Sequence, residues 1–279
     1  MMDANRKSNL VTCGIIILIL VLTGCIDSFE SIRIQTDKDK TNDNSSSNDS
    51  ITIACWNLQI FGKSKASNES LLSFYHEKLS IYDIFIIQEI RDASGTAIQT
   101  LADRFNDHEC ILSQRAGKTS SKEQYAIFYN EKITLLNQFD YTEEYQIYVN
   151  RPPLSATFKS NNLTFTLFTI HTDPDDVEAE LSILESITLN ATLDTIIIGD
   201  LNADGSYYNE DNKQHYPTWN WVIPDTLDTT VATSNNTYDR IIINNKMDNN
   251  FIRYGVMNDV EKAQSDHYLI YAEFNTSDT

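Results

Sequence analysis

The chain has 279 residues, with 21 Lys and Arg against 40 Asp and Glu and a formal net charge of −19. That length carries one large α/β domain or two small ones, with ample apolar material for a core. So acidic a chain is not a tight, non-specific nucleic-acid binder, which would normally be basic. It remains compatible with an enzyme that meets a phosphodiester briefly through a divalent cation.

Arg6 and Lys7 precede an apolar run, Leu10–Leu22. The run is short for a membrane span of about 20 residues and fits the apolar region of a secretory signal. It ends in Leu22-Thr23-Gly24-Cys25, which resembles the lipobox of exported lipoproteins. A simple membrane anchor is the alternative, and both place the rest of the chain outside the cytoplasm. On the lipoprotein reading, residues 1–24 are the removed signal. Cys25 then carries lipid and binds the membrane, and residues 25–50, with the polar run Thr36–Ser50, are a disordered tether. The folded domain is expected over 51–279. Of its cysteines, Cys55 lies in a strand-like run and reads as core. A Cys55–Cys110 bridge stays open, and no CxxC pattern offers a thiolate metal site.

In chain order, Ile51–Leu58 reads as a central strand, rich in strand formers. Leu71, Leu72, Tyr75 and Leu79 have helical spacing, with Asn68 or Ser67 as N-cap. Ile84–Gln88 is a buried-strand type, and strand, helix, strand suggests a crossover unit. A second helix is expected over Thr96–Phe105, then strands at Cys110–Ser113, Tyr125–Tyr129 and Ile133–Phe139. Tyr141–Val149 reads ambiguously, with a strand as one option. Leu154–Lys159 and Leu163–Ile170 flank Ser160-Asn161-Asn162, a hairpin turn. Pro174–Leu189 is the third helix. Thr195–Ile198, Tyr238–Ile243 and Tyr268–Phe274 complete the strands.

Polar residues recur where these apolar runs begin or end, the positions from which a sheet presents side chains into a shared crevice. Glu89 follows one run, His171 another and Asp200 with Asn202 a third; Asp266 and His267 precede the last. A hard divalent metal takes oxygen ligands, which Glu89, Asp200 and Asp266 supply as carboxylates and Asn57 and Asn202 as amides. This donor set selects Mg2+ or Mn2+ over zinc. His171 and His267 suit acid–base chemistry near neutral pH, each with a carboxylate to orient it; Glu123 and Asp239 are available. Arg91 and Arg151 suit bidentate phosphate donation, and Tyr238 suits a hydroxyl contact or packing.

These residues sit in motifs that resemble pancreatic deoxyribonuclease I and its relatives, within the endonuclease/exonuclease/phosphatase superfamily. The motifs are WNLQIFG (56–62), IIQEIRD (86–92), SKEQYAIFY (121–129), NRPP (150–153), FTIHTDPDD (168–176), IIIGDLNAD (196–204), the segment 221–243 and SDHYLI (265–270). The resemblance implies an α/β four-layer sandwich: two mixed β-sheets packed face to face, with helices outside. It implies metal and phosphate residues at Asn57, Glu89, Asp200, Asn202 and Asp266, and hydrogen-bonded pairs Glu123–His171 and Asp239–His267. Arg91 and Arg151 become groove contacts, Tyr238 a phosphate contact, and Asp228 with Thr230 the remains of a Ca2+ site. Departures are Ser121 in place of a groove-stacking tyrosine, and loss of a family disulfide, whose positions here fall near Gly205 and at Asn236.

The reading is an exported, Mg2+- or Mn2+-dependent endonuclease, membrane-tethered at the cell surface or released from it. It would act as a monomer on double-stranded DNA with little sequence preference, leaving 5′-phosphate ends, with no protein partner inferred. A sphingomyelinase or other phosphatase of the superfamily, or a non-catalytic surface binding protein, is the alternative.

Overall fold

The computed structural model describes residues 32–35, 49–189, 191–209 and 214–277. The expected signal segment, Cys25 and most of the expected tether lie outside them. No helix of the described residues is long and apolar enough to cross a membrane.

Two sheets form the centre. The first orders its strands β1 (Ile32–Gln35), β12 (Phe251–Met257), β13 (Leu269–Asn275), β2 (Ser50–Phe61), β3 (Ile84–Ile90), β5 (Gln124–Asn130) and β4 (His108–Leu112). The second runs β10 (Asn220–Trp221), β11 (Asp239–Ile243), β9 (Asp194–Asp200), β8 (Leu163–Thr169), β7 (Leu154–Ser160) and β6 (Thr134–Asp140). Both are mixed: β2 with β3 and β8 with β9 are parallel, and the other pairs antiparallel. Within the stretch expected to be tether, Ile32–Gln35 instead pairs with Tyr254–Met257 of β12.

Strand alternation builds the layers. Ile84 and Ile86 of β3 face the second sheet, against Ile196 and Ile198 of β9 and Phe165 of β8. The intervening Phe85 and Ile87 face outward, onto Tyr75 and Leu79 of α2 (Glu69–Leu79) and Leu101 of α3 (Thr96–Ala102). On the far side, Ile197 and Ile242 meet Leu181 and Leu184 of α5 (Val177–Thr188). Strands apolar on both faces are those of a sheet covered on both sides, and the result is the four-layer sandwich.

Local signals account for the helix ends. Asn68 caps α2, its side chain accepting from the Ser70 and Leu71 N–H groups. The third helix begins at Val177 instead of Pro174. Tyr141–Val149 contains a helical turn, Thr142–Tyr145, and no strand. Here Asp140 accepts from the Thr142 N–H, and Tyr141 packs on Tyr145 and Phe168. The β12 strand had no counterpart in the sequence reading. Cys55 and Cys110 are unbridged; two strands, β3 and β5, separate theirs.

Candidate active site

The ends of β2, β3, β8 and β9 and the starts of β11 and β13 meet at one edge of the sandwich. Close approach of the sheets fixes their register there. The amide of Gln88, on β3, donates to Thr169 Oγ1 (3.1 Å) and Ile170 O (2.8 Å), and accepts from the Asp200 N–H (2.9 Å). Gly199 makes this possible, since a Cβ there would lie 2.1 Å from Ile170 O and 2.6 Å from Gln88 Nε2. Gln88 and Gly199 therefore set where Asp200 sits.

Irregular backbone aims the side chains. Between Asn57 and Phe61, β2 carries more residues than the stretch of β3 it faces, and β3 bulges again toward β5. Such bulges re-aim side chains. Gln59, Ile60, Glu89 and Asn202, all at the site, have φ of 45°, 56°, 60° and 46°. Clustered positive-φ residues mark places where the surrounding structure holds strain.

Asp200 is the hub, with its Oδ2 accepting from Asn57 Nδ2 at 3.0 Å. His171 Nε2 lies 3.3 Å from the same oxygen and His267 Nε2 lies 3.5 Å from it. Behind each imidazole stands a carboxylate. His171 Nδ1 is 3.0 Å from Glu123 Oε1, and His267 Nδ1 is 2.8 Å from Asp239 Oδ2. Each ring is thus held by one carboxylate and points its other nitrogen at Asp200.

The electrostatics follow from burial and these neighbours. Burial disfavours the charged form of His267, but Asp239 and Asp200 outweigh it and raise its pKa to about 10. Burial and Arg151 disfavour protonated His171, and Asp200 with Glu123 outweigh them, so its pKa is also raised. Burial alone would raise Glu123; His171, Arg151 and Arg91 bring it below its ordinary value. Asp239 is raised, by burial. Asp200 is lowered, because His267 and His171 overcome its burial.

The arginines are turned inward. Arg91 lies 2.9 Å from Glu89 Oε2 and 3.5 Å from Glu123 Oε2, and donates to Ser121 Oγ at 3.0 Å. Arg151 Nε sits 2.7 Å from Glu123 and donates to His171 O. Tyr238 packs on Tyr207 at the rim, with ring centroids 5.4 Å apart. Asn202 Nδ2 donates to Thr172 O, and its N–H to Asp200 Oδ1. Asp228 Oδ1 accepts from the Thr230 N–H and hydroxyl, closing a turn whose Thr230 forms an isolated antiparallel bridge with His267.

The oxygen-rich donor set fits a hard divalent cation. His-containing groups of ligand atoms occur at Glu89, Glu123 and His171 and at Asp200, Asp239 and His267. Asp266 Oδ1 is buried with no hydrogen-bond partner, the state of an oxygen placed for a cation. Asn57 Nδ2 joins Glu89 to Asp200, and Gln59 Nε2 donates to Asp266 Oδ2 at 2.7 Å.

Sequence reasoning did not single out Gln88, Gln59 or Tyr125. The Tyr125 hydroxyl donates to Arg151 O and accepts from the His171 N–H, each at 2.9 Å. Trp56 and Ser265 stand in the quoted motifs, where the sequence assigned them no role. Trp56 Nε1 donates to His267 O, and Ser265 Oγ bridges Asn57 O and the His267 N–H. Their polar groups inside apolar or motif stretches were the available signal.

Comparison with known proteins places this site in context. A family model described as the endonuclease/exonuclease/phosphatase family matches residues 54–267. Deoxyribonuclease-1 of Oryctolagus cuniculus is 31% identical over 256 residues, 79% of this chain and 91% of that protein. The Homo sapiens deoxyribonuclease-1 is 30% identical, with the same coverage of 79% and 91%. Among solved structures, an endonuclease/exonuclease/phosphatase family protein from Bacteroides thetaiotaomicron superposes with a TM-score of 0.63 at 19% identity, covering 82% of this chain and 98% of that one. D. rerio TDP2 complexed with a single-strand DNA product does so at 0.61 and 16%, covering 81% and 99%.

Proposed function

The chain belongs to the endonuclease/exonuclease/phosphatase family, and from that premise we propose that it is a divalent-cation-dependent endonuclease. It hydrolyses phosphodiester bonds of double-stranded DNA with little sequence preference and leaves 5′-phosphate ends. One observation carries this reading: two imidazole–carboxylate pairs face the same oxygen of Asp200, at 3.3 and 3.5 Å. In-line hydrolysis of a diester needs one group to take a proton from water and another to return one to the leaving oxygen. His171 and His267 fill those roles, oriented by Glu123 and Asp239.

Bound at Glu89, Asp200 and Asp266, Mg2+ or Mn2+ would supply charge stabilisation at a phosphoryl oxygen. Asn57 and Asn202 hold the phosphate and the carboxylates in register. Tyr238 offers a hydroxyl to the substrate strand, and Arg91 and Arg151 meet its backbone and groove. For Arg91 this requires exchange of its Glu89 pairing, and for Arg151 release from Glu123 and from the His171 and Thr172 carbonyls. Asp228 and Thr230 would supply the remaining oxygens for a stabilising Ca2+.

A lipid-hydrolysing relative would need an exposed apolar loop, and the aromatic pair Trp219 and Trp221 does not supply one. They pack against the α5 layer instead, which favours the nuclease. The protein is exported and tethered through lipid on Cys25, with residues 1–24 removed. The mass of the native N-terminal peptide tests this; an unmodified peptide retaining Leu10–Leu22 refutes it. The activity test is digestion of supercoiled plasmid in Mg2+, which should give nicked and linear forms and stop on addition of EDTA. Intact plasmid in Mg2+ or Mn2+ would sink the reading.

A further inference from the structure

Ile60 combines two properties found together in no other described residue. It is a non-glycine residue at positive φ, 56°, and a large apolar side chain left 56% exposed. A β-branched residue is a conformational outlier there, and an exposed isoleucine forgoes the gain of burial. The backbone is pinned by contacts that all reach site residues. The Gln59 N–H donates to Asn57 Oδ1 (2.9 Å), Gln59 Nε2 to Asp266 Oδ2 (2.7 Å) and the Ile60 N–H to Glu89 Oε2 (2.8 Å). The bulge thus sets Ile60 beside Glu89, with its side chain in solvent at the mouth of the site.

Holding Glu89 does not call for isoleucine. Any residue but proline offers that N–H, and Gly or Asn adopts positive φ with less strain. What Ile60 adds is an apolar surface next to the Glu89 carboxylate that its N–H holds and the Gln59 amide that reaches Asp266. A strained residue left more than half exposed is explained if further burial comes with the substrate.

We propose that Ile60 is a substrate-contacting specificity residue that packs on the sugar edge of the bound strand and favours deoxyribose over ribose. This rests on the nuclease reading above. Deoxyribose presents a methylene where ribose carries a hydroxyl. Isoleucine gains from covering the methylene, whereas covering the hydroxyl strips it of water without supplying a partner.

Ile60→Asn tests this, because Asn holds positive φ and keeps the N–H to Glu89. Its melting temperature should equal or exceed that of the wild type, and its Mg2+ affinity by calorimetry should stay close to the wild-type value. Its KM for a DNA duplex should rise roughly five- to tenfold, as loss of a partly buried aliphatic contact predicts. Competitive inhibition of DNA cleavage by an RNA duplex of the same sequence should hardly change. An unchanged KM for DNA overturns the contact. Equal weakening toward DNA and RNA overturns the sugar preference, and weakened Mg2+ binding would place the effect on Glu89 instead. If Ile60→Asn does not fold, Ile60→Gly is read by the same criteria. A wild type that leaves DNA intact in Mg2+ removes the nuclease reading and this proposal together. A cleaving wild type with an unaffected variant removes the Ile60 contact alone.

Discussion

The Glu123–His171 pair sits among cations, and the Asp239–His267 pair sits among anions. Arg151 and Arg91 lie 2.7 and 3.5 Å from the Glu123 oxygens. Asp239 has His267 at 2.8 Å, and the next charges around that ring are Asp200 at 3.5 Å and Asp266 at 3.9 Å. Two pairs with the same geometry therefore differ in what remains when the imidazole is lost. Without His171, Glu123 keeps its guanidinium partners. Without His267, Asp239 loses its paired cation and faces Asp200 in the interior, where Asp200 keeps only His171. A catalytic geometry can be duplicated while its stability consequences are not.

The largest expected effect is on turnover. His171→Ala and His267→Ala should each slow plasmid cleavage roughly 10²–10⁴-fold. A diester with a nitrophenolate leaving group needs little protonation, so it should rescue the variant lacking the general acid and not the other. Wild-type plasmid cleavage by both variants would end the paired mechanism.

Stability should separate the pairs next. By urea unfolding, His267→Ala should cost about 3–5 kcal/mol, the range for a buried charge stripped of its partner. His171→Ala should cost on the order of 1–2 kcal/mol, since Glu123 remains compensated. Adding Asp239→Asn to His267→Ala should restore part of the loss. Equal costs for the two histidines would abolish the contrast.

The third effect is pH dependence in EDTA. His267 has a folded-state pKa raised to about 10 from an ordinary value of 6.5. A raised imidazole pKa stabilises the fold fully below the unfolded value, and that stabilisation is lost as pH rises through the folded value. Stability should therefore fall between about pH 6.5 and pH 10. A flat or rising profile over that interval would mean that His267 is not held protonated.

The smallest effect concerns the turn behind the second pair. Thr229 Oγ1 accepts from the Asp239 N–H, and Thr230 bridges to His267. Asp228→Ala should cost about 0.5–1.5 kcal/mol and shift the NMR resonances of His267 while leaving those of His171. Ca2+ should raise the melting temperature of the wild type and not of this variant. Equal perturbation of both imidazoles would show that the turn does not serve one pair alone.

Local chemistry determined much of this protein. The apolar runs of β3 and β9 read as buried strands because both faces are apolar, and a cap at Asn68 or Ser67 marked the start of α2. The motif residues of the site lay at strand ends, where polar side chains interrupt apolar runs. Signals that depend on a neighbour from elsewhere in the chain were not legible. Gly255 weakened the strand signal of β12, yet it is required there because a Cβ would lie 2.6 Å from the Tyr271 ring across the pair. Tyr141 and Tyr145 looked like strand formers, and packing on Phe168 makes them a helical turn. Gln88 reads as a polar interruption of a strand until β8 and β9 supply its partners. Periodicity and capping are properties of a segment, so a sequence carries them. The tie made by Gln88, the strained bulge at Gln59–Ile60 and the opposite surroundings of two like pairs are properties of sheets brought together, and only tertiary packing decides them.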